Sequence, residues 1–495
     1  MTARALLPRT AAALLLAASS LAPLAAGQDA DETFYRGLAE QSLADHGYAD
    51  AKEFRIERFL ESRTARASLG LFDLHVPTRS LEDGKRAEQF KVVAESLVDL
   101  QERWIQYATA GSFGDEASAA ALADVETIRG WVERWSKGKL GKVDPSDLVA
   151  SLDAGEEVGA AVARLQEYMV RGSALGLERK RQKPEPILLM PSRVDFVRFV
   201  ALAGMLCGPA QKESCWVPEI VSFTETYWRR QALVLPLEYA ADGVGFGDYE
   251  KSRSMNEKSR TGMRQQVTQL AANALLDNQF DDRLPASIVG GIALNLVIDI
   301  YGESNTRVDG DPTARRTGGI ETFVWGGQSE GGILPTNSAE SRWRERGCKD
   351  YFKKVLKMGQ RSGAKRSAVK GKLGRLAAFE LESADRTERM TLVGPFIGSG
   401  ANEESTTVPG EYFGDKQEFL RAYRTAFLRF LRTETYKREE DSAEAFSRAL
   451  HALARIKRGA EAEKALADAF EAPAISSGDF ATDDLETRFL NWISR

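Results

Sequence analysis

The sequence predicts an α+β fold: a helical N-terminal region, a small sheet with core helices, and a helical C-terminal region. Three observations lead there. Apolar residues recur at three- and four-residue steps up to about residue 181. Past a Pro-broken polar linker, short apolar runs read as strands and are followed by two long helical segments. Helical stripes return toward the C-terminus. The composition of the 495-residue chain, 43% hydrophobic and 28% charged with a net charge of -5, supplies material for cores and argues against disorder. Its 67 basic and 72 acidic residues do not fit a strongly basic nucleic-acid binder.

The first residues have the order of an export signal. Arg4 and Arg9 precede an apolar run from Ala11 to Ala26, and Ala25-Ala26-Gly27 offers the small residues a signal peptidase reads. Residues 1–27 are therefore expected to be a signal peptide cleaved before Gln28, leaving a periplasmic or secreted protein. The run is shorter than the ~20 residues needed to span a bilayer, and no later segment is apolar enough to do so. In such a compartment disulfides persist. Cys207 and Cys215 lie close enough in sequence for a bridge, or for two thiols that merely pack, and Cys348 is left over.

Residues 28–180 read as a helical N-terminal domain. Phe90, Val93, Leu97, Leu100 and Trp104 form one stripe. Val125, Ile128, Val132 and Trp135 form a second, and Val158, Val162, Leu165 and Met169 a third. Such stripes bury against one another as antiparallel helices. Ala67 to Val76 is more strand-like, and His75 within it reads as a packing residue. The linker from Lys180 to Pro186 closes this part.

Residues 186–340 read as the core. Ile187 to Met190 is a buried strand ended by Pro191, and a helix carrying Phe196, Phe199 and Val200 follows. Val217 to Phe223 and Ala232 to Tyr239 are further strand candidates. Helices are expected from about Lys258 to Leu276 and from about Pro285 to Tyr301. Gly302 to Leu334 is turn-rich and lacks the spacing of a calcium or phosphate loop, so it reads as surface loop. Residues 341–375 carry thirteen Lys/Arg against two acidic residues, which leaves the rest of the chain at -16. That segment reads as a cover for the acidic remainder, with a polyanion or an anionic surface as the alternative partner. Residues 376–495 form a helical C-terminal part, with stripes at Phe419, Tyr423, Phe427 and Phe430, at Phe446, Leu450 and Leu453, and at Leu485, Phe489 and Trp492.

The core helices carry one further pattern. Val267-Thr268-Gln269-Leu270-Ala271-Ala272-Asn273-Ala274-Leu275-Leu276 is followed by Leu284-Pro285-Ala286-Ser287-Ile288-Val289-Gly290-Gly291-Ile292-Ala293. The pair resembles the V-T-H-E-L-A-H-A-L-L and L-P-x-W-L-x-E-G-L-A segments of gluzincin zinc metallopeptidases. Pro186 to Phe199, Ala422 to Leu431 and the last residues from Ala469 to Trp492 are also similar to segments of that family. The resemblance implies that Gln269 and Asn273 stand where the two zinc-binding His would be. It implies likewise that Leu270 replaces the Glu base and Gly290 the third ligand. Leu cannot take a proton, Gly cannot ligate through a side chain, and amides are poor zinc ligands. The expectation is a degenerate site with no metal, no cofactor and no catalytic residue.

The function expected is that of an exported pseudoenzyme, a binding or envelope-associated module whose partner is an extended peptide or envelope component. Two alternatives stay open. One is a hydrolase that uses carboxylates from Asp281, Asp282, Asp299 and Glu303 as acid and base. The other is a purely structural envelope protein. A nucleophile triad is disfavoured, because there is no G-x-S-x-G and only three His, namely His46, His75 and His451.

Overall fold

A computed structural model describes residues 37, 39–49, 54, 56–108, 116–136, 143–171, 184–192, 195–196, 198–199, 202, 226–227, 233–237, 257–280, 286–302, 380–383, 386–389, 416–454, 468–470 and 485–494. The chain is α+β. Helix α1 (Ile56–Arg63) runs into β1 (Thr64–Ser68), which pairs antiparallel with β2 (Phe72–Pro77). Strand β3 (Glu185–Met190) lies parallel to β2, with Leu74 opposite Ile187. Strand β5 (Leu233–Pro236) lies parallel to β3, and the short β4 (Thr226–Tyr227) closes the other edge antiparallel to β5. The order β1-β2-β3-β5-β4 makes a mixed sheet with three parallel strands at its centre. Every residue of β2 is buried, as expected of a central strand covered on both faces.

A short 3-10 helix (Thr78–Glu82) leads from β2 into α2 (Gly84–Ala108), the hub of the molecule. It packs against β2 and against most of the helices around it, so Phe90, Val93, Leu97, Leu100 and Trp104 are all buried. Helix α3 (Glu116–Glu133) lies on α2, where Arg129 binds both Asp99 and Glu102. Helix α4 (Pro145–Ser151) starts on an Asp144 cap that accepts from the Ser146 and Asp147 amides, with Pro145 in the first turn. Helix α5 (Gly155–Arg171) packs on α3, and Arg164 grips the nearly buried Asp124 with Nε and one terminal nitrogen.

Two long helices follow the sheet. Helix α6 (Glu257–Phe280) touches β3 and β5, and α7 (Ala286–Tyr301) folds back on it. Helix α7 is apolar almost all round because α2, α6 and α8 (Lys416–Thr433) enclose it. Helix α9 (Glu439–Ala454) packs on α8. Phe489 and Trp492 of α10 (Leu485–Ser494) close over Phe427 and Phe430. A separate hairpin pairs β6 (Glu380–Ser383) with β7 (Arg386–Arg389). Among the described residues, no helix is long and apolar enough to cross a membrane.

One expectation needs correction. Ala67 to Val76 is two strands rather than one, with a turn at Leu69–Leu71. Strands β2 and β3, on either side of the polar linker, are neighbours in one sheet and their side chains share one core. Parallel pairing is non-local, so no periodicity in the sequence announces it. The signal peptide, Cys207, Cys215, Cys348, the strand candidate at Val217 to Phe223, the turn-rich stretch beyond Gly302 and the basic segment 341–375 lie outside the described residues.

Candidate functional site

The middle of α6 is buried on all sides although it is not all apolar. Val267, Leu270, Ala271, Ala274 and Leu275 supply core surface. Gln265, Gln269 and Asn273, spaced one turn apart, put three carboxamides along one face. Gln269 is fully buried and Asn273 is 7% exposed. The register with α7 is fixed by the Thr268 and Tyr301 hydroxyls at 3.0 Å, which bring the first half of α6 beside the end of α7. Burial raises the Tyr301 pKa, against the hydrogen bonds from Ser96 and Thr268. The hydroxyl therefore stays protonated and serves as a structural link.

Each of the four positions singled out in the sequence has a definite place here. Leu270 belongs to the hydrophobic core. The Asn273 Oδ1 is buried and accepts no hydrogen bond. Gly290 is buried in the first half of α7, yet a Cβ built on it would meet no atom within 4 Å. There is space beside it for a side chain. Chemically this face offers amide donors and acceptors, and none of Gln269, Leu270, Asn273 and Gly290 can ionise. Among the described residues, no three His, Cys, Asp or Glu come together as a metal-binding group.

The ionisable candidates lie elsewhere. His75 sits on β2 with Nδ1 2.9 Å from the Thr64 hydroxyl, whose own proton goes to the Leu60 carbonyl. Nδ1 must then carry the hydrogen. Burial lowers the His75 pKa to about 4; the Asp73 charge opposes that shift and Arg66 adds to it. His46 is half-buried, edge-on to Phe59 and Phe199, with its pKa lowered by desolvation. Of the four acids, Asp299 alone is described. Its carboxylate is bound by Arg429 and lies 3.8 Å from Arg432. Asp281, Asp282 and Glu303 lie outside the described residues.

One group was not anticipated. Asp299, Arg429, Arg432 and Tyr107 meet where α7, α8 and α2 join. Its sequence signal was the pair of arginines three residues apart inside the apolar stripe of Phe427, Phe430 and Leu431. Compared with family models, with curated proteins and with solved structures, the chain has no match.

Proposed function

We propose that the chain is an exported, non-catalytic protein of zinc-peptidase-like build that binds an extended segment rather than cutting one. The observation that supports this best is the α6 face. A helix beneath the parallel strands carries polar residues at Gln269 and Asn273, one turn apart and buried, and the following helix opens space at Gly290. In a gluzincin-like arrangement those are the places of the two metal-binding His and the acidic third ligand. Here each is filled by a residue that neither ionises nor binds zinc well. Loss of the metal leaves the sheet edge intact. Strand β4, antiparallel at the rim of the sheet, is the segment to which an extended chain would add by backbone hydrogen bonds. Export through the N-terminal signal would place this binding in the periplasm or outside the cell. The acid/base hydrolase reading has less support, because Asp299 is already held by a hydrogen bond from Arg429.

The test is to put the missing chemistry back. The quadruple variant Gln269→His, Leu270→Glu, Asn273→His and Gly290→Glu should bind one zinc ion by calorimetry, with three ligands and an open water position. The natural chain should bind none at this site and leave casein uncut. A well-folded variant that takes up no zinc would remove the peptidase-like assignment. Casein cleavage by the natural chain would remove the non-catalytic one.

A further inference from the structure

We propose that the junction of α2, α7 and α8 binds a monoanionic carboxylate through the Arg432 guanidinium and the Tyr107 hydroxyl. The proposal does not depend on the zinc-peptidase-like reading. Arg432 is only 8% exposed, in the last turn of α8. Its Cζ lies 4.2 Å from the centre of the Tyr107 ring, and its Nε is buried and donates to nothing. The carboxylate it pairs with, that of Asp299, lies 3.8 Å from one terminal nitrogen, beyond hydrogen-bonding distance. Arg429 makes the hydrogen bond to Asp299. A guanidinium taken out of water and left without a hydrogen-bonded acceptor is costly, and an incoming acceptor would relieve that cost.

Tyr107 has the same character. It is 1% exposed, and its hydroxyl has no hydrogen-bond partner. Burial raises its pKa, so at neutral pH it donates and does not ionise. The charges acting on it are those of Arg432, Asp299 and Arg429, so it shares their surroundings. Trp104 stacks beside the ring and Phe446 meets it edge-on, which fixes its orientation.

The chemistry of the ligand follows from these groups. Arg432 supplies only donors and the neutral Tyr107 hydroxyl can donate as well, so the pair suits an acceptor ligand. Arg432 is the cation without a hydrogen-bonded counter-ion, so a single negative charge balances it. The planar guanidinium fork matches the two oxygens of a carboxylate. Beside the pair, the Asp299 and Arg429 side chains keep 15% and 20% of their surface exposed.

The experiment is saturation-transfer NMR of acetate on the full chain, with inorganic phosphate as competitor at matched ionic strength. Acetate should give a saturable signal. Arg432→Gln, with its fold checked by circular dichroism, should weaken the affinity about tenfold or more. Tyr107→Phe removes one oxygen from the same ring and should weaken it several-fold, which carries the test even if Arg432→Gln does not fold. Phosphate should compete more weakly than acetate. The absence of an acetate signal, or affinities unchanged in Tyr107→Phe, would overturn the site. Phosphate displacing acetate at lower concentration would overturn the assignment to a monoanionic carboxylate.

Discussion

The β1–β2 hairpin and the α6–α7 hairpin both bury polar groups in the same molecule, but they use them differently. At the first, polar atoms act as stitches. Gln101 of α2 accepts the Leu71 amide at 2.7 Å, Gln166 of α5 donates to the Gly70 carbonyl at 3.1 Å, and the Glu185 amide reaches the Leu71 carbonyl at 2.9 Å. One turn is thereby tied to two helices and to the neighbouring strand. At the second, Asn295 is such a stitch, but Asn273, on the facing helix, buries an oxygen with no partner. Gln101 also buries an unpartnered Nε2, but its Oε1 holds the turn, whereas the Asn273 Oδ1 holds nothing.

The comparison is tested most severely at Gly70. Its φ is +96°, and a Cβ there would come within 2.5 Å of Leu165 Cδ2 and 3.0 Å of Gln101 Oε1. Leu165 is fully buried and has nowhere to swing. Gly70→Ala combines a disfavoured backbone with overpacking and should cost about 3 kcal/mol. Urea denaturation of the two proteins would measure it. A loss below about 1 kcal/mol would mean that the turn is looser than its three hydrogen bonds suggest.

The next largest effect is one of pH, on the same hairpin. His75 has its pKa lowered from 6.5 to about 4. Above pH 6.5 it is neutral in folded and unfolded chains alike and contributes no pH dependence. As the pH falls below 6.5, the unfolded chain takes up a proton that the folded one refuses. Stability is lost progressively until about pH 4, by roughly 3 kcal/mol in the limit. Other groups titrate in the same window, so the measurement is a difference. Denaturation of the natural chain and of His75→Gln at pH 7, 5.5 and 4 should show the gap between them changing in favour of the variant as pH falls. Parallel curves would show that the imidazole is hydrated in the fold.

What the sequence made legible follows the same division between local and distant causes. The α6–α7 hairpin was readable nearly to its ends, because Leu284-Pro285 breaks the chain and strong apolar patterns lie on both sides. The closing contacts of Phe489 and Trp492 on Phe427 and Phe430 follow from stripes visible in the sequence. Strand β1, Thr-Ala-Arg-Ala-Ser, was missed because its small residues carry no apolar alternation of their own; β2 supplies the reason for it. The pairing of β2 with β3 was missed because over a hundred residues separate the two strands. At the candidate site, Gln269, Leu270, Asn273 and Gly290 could be singled out only through the resemblance of their segments to those of gluzincins. Neither the vacant space at Gly290 nor the gathering of Tyr107, Asp299 and Arg432 could be, because each depends on distant segments packing together.

The smallest effect is the most discriminating, because one substitution is made on both sides of the comparison. Leu has the shape of Asn without its polar atoms. At Asn295, the amide nitrogen donates to the Gly291 carbonyl at 2.9 Å and to the Thr425 carbonyl at 3.1 Å, linking α7 to α8. Asn295→Leu would remove both hydrogen bonds and the link between α7 and α8, and should cost about 1 kcal/mol. Asn273 has a buried oxygen whose dehydration nothing repays. Asn273→Leu removes that cost and adds apolar surface beside Leu270 and Leu276, so it should be neutral or stabilise by up to about 1 kcal/mol. The pair of denaturation midpoints decides what α6 keeps its carboxamide for. Opposite signs would mark Asn273 as a residue the fold does not need. Equal losses would make it a structural stitch like Asn295.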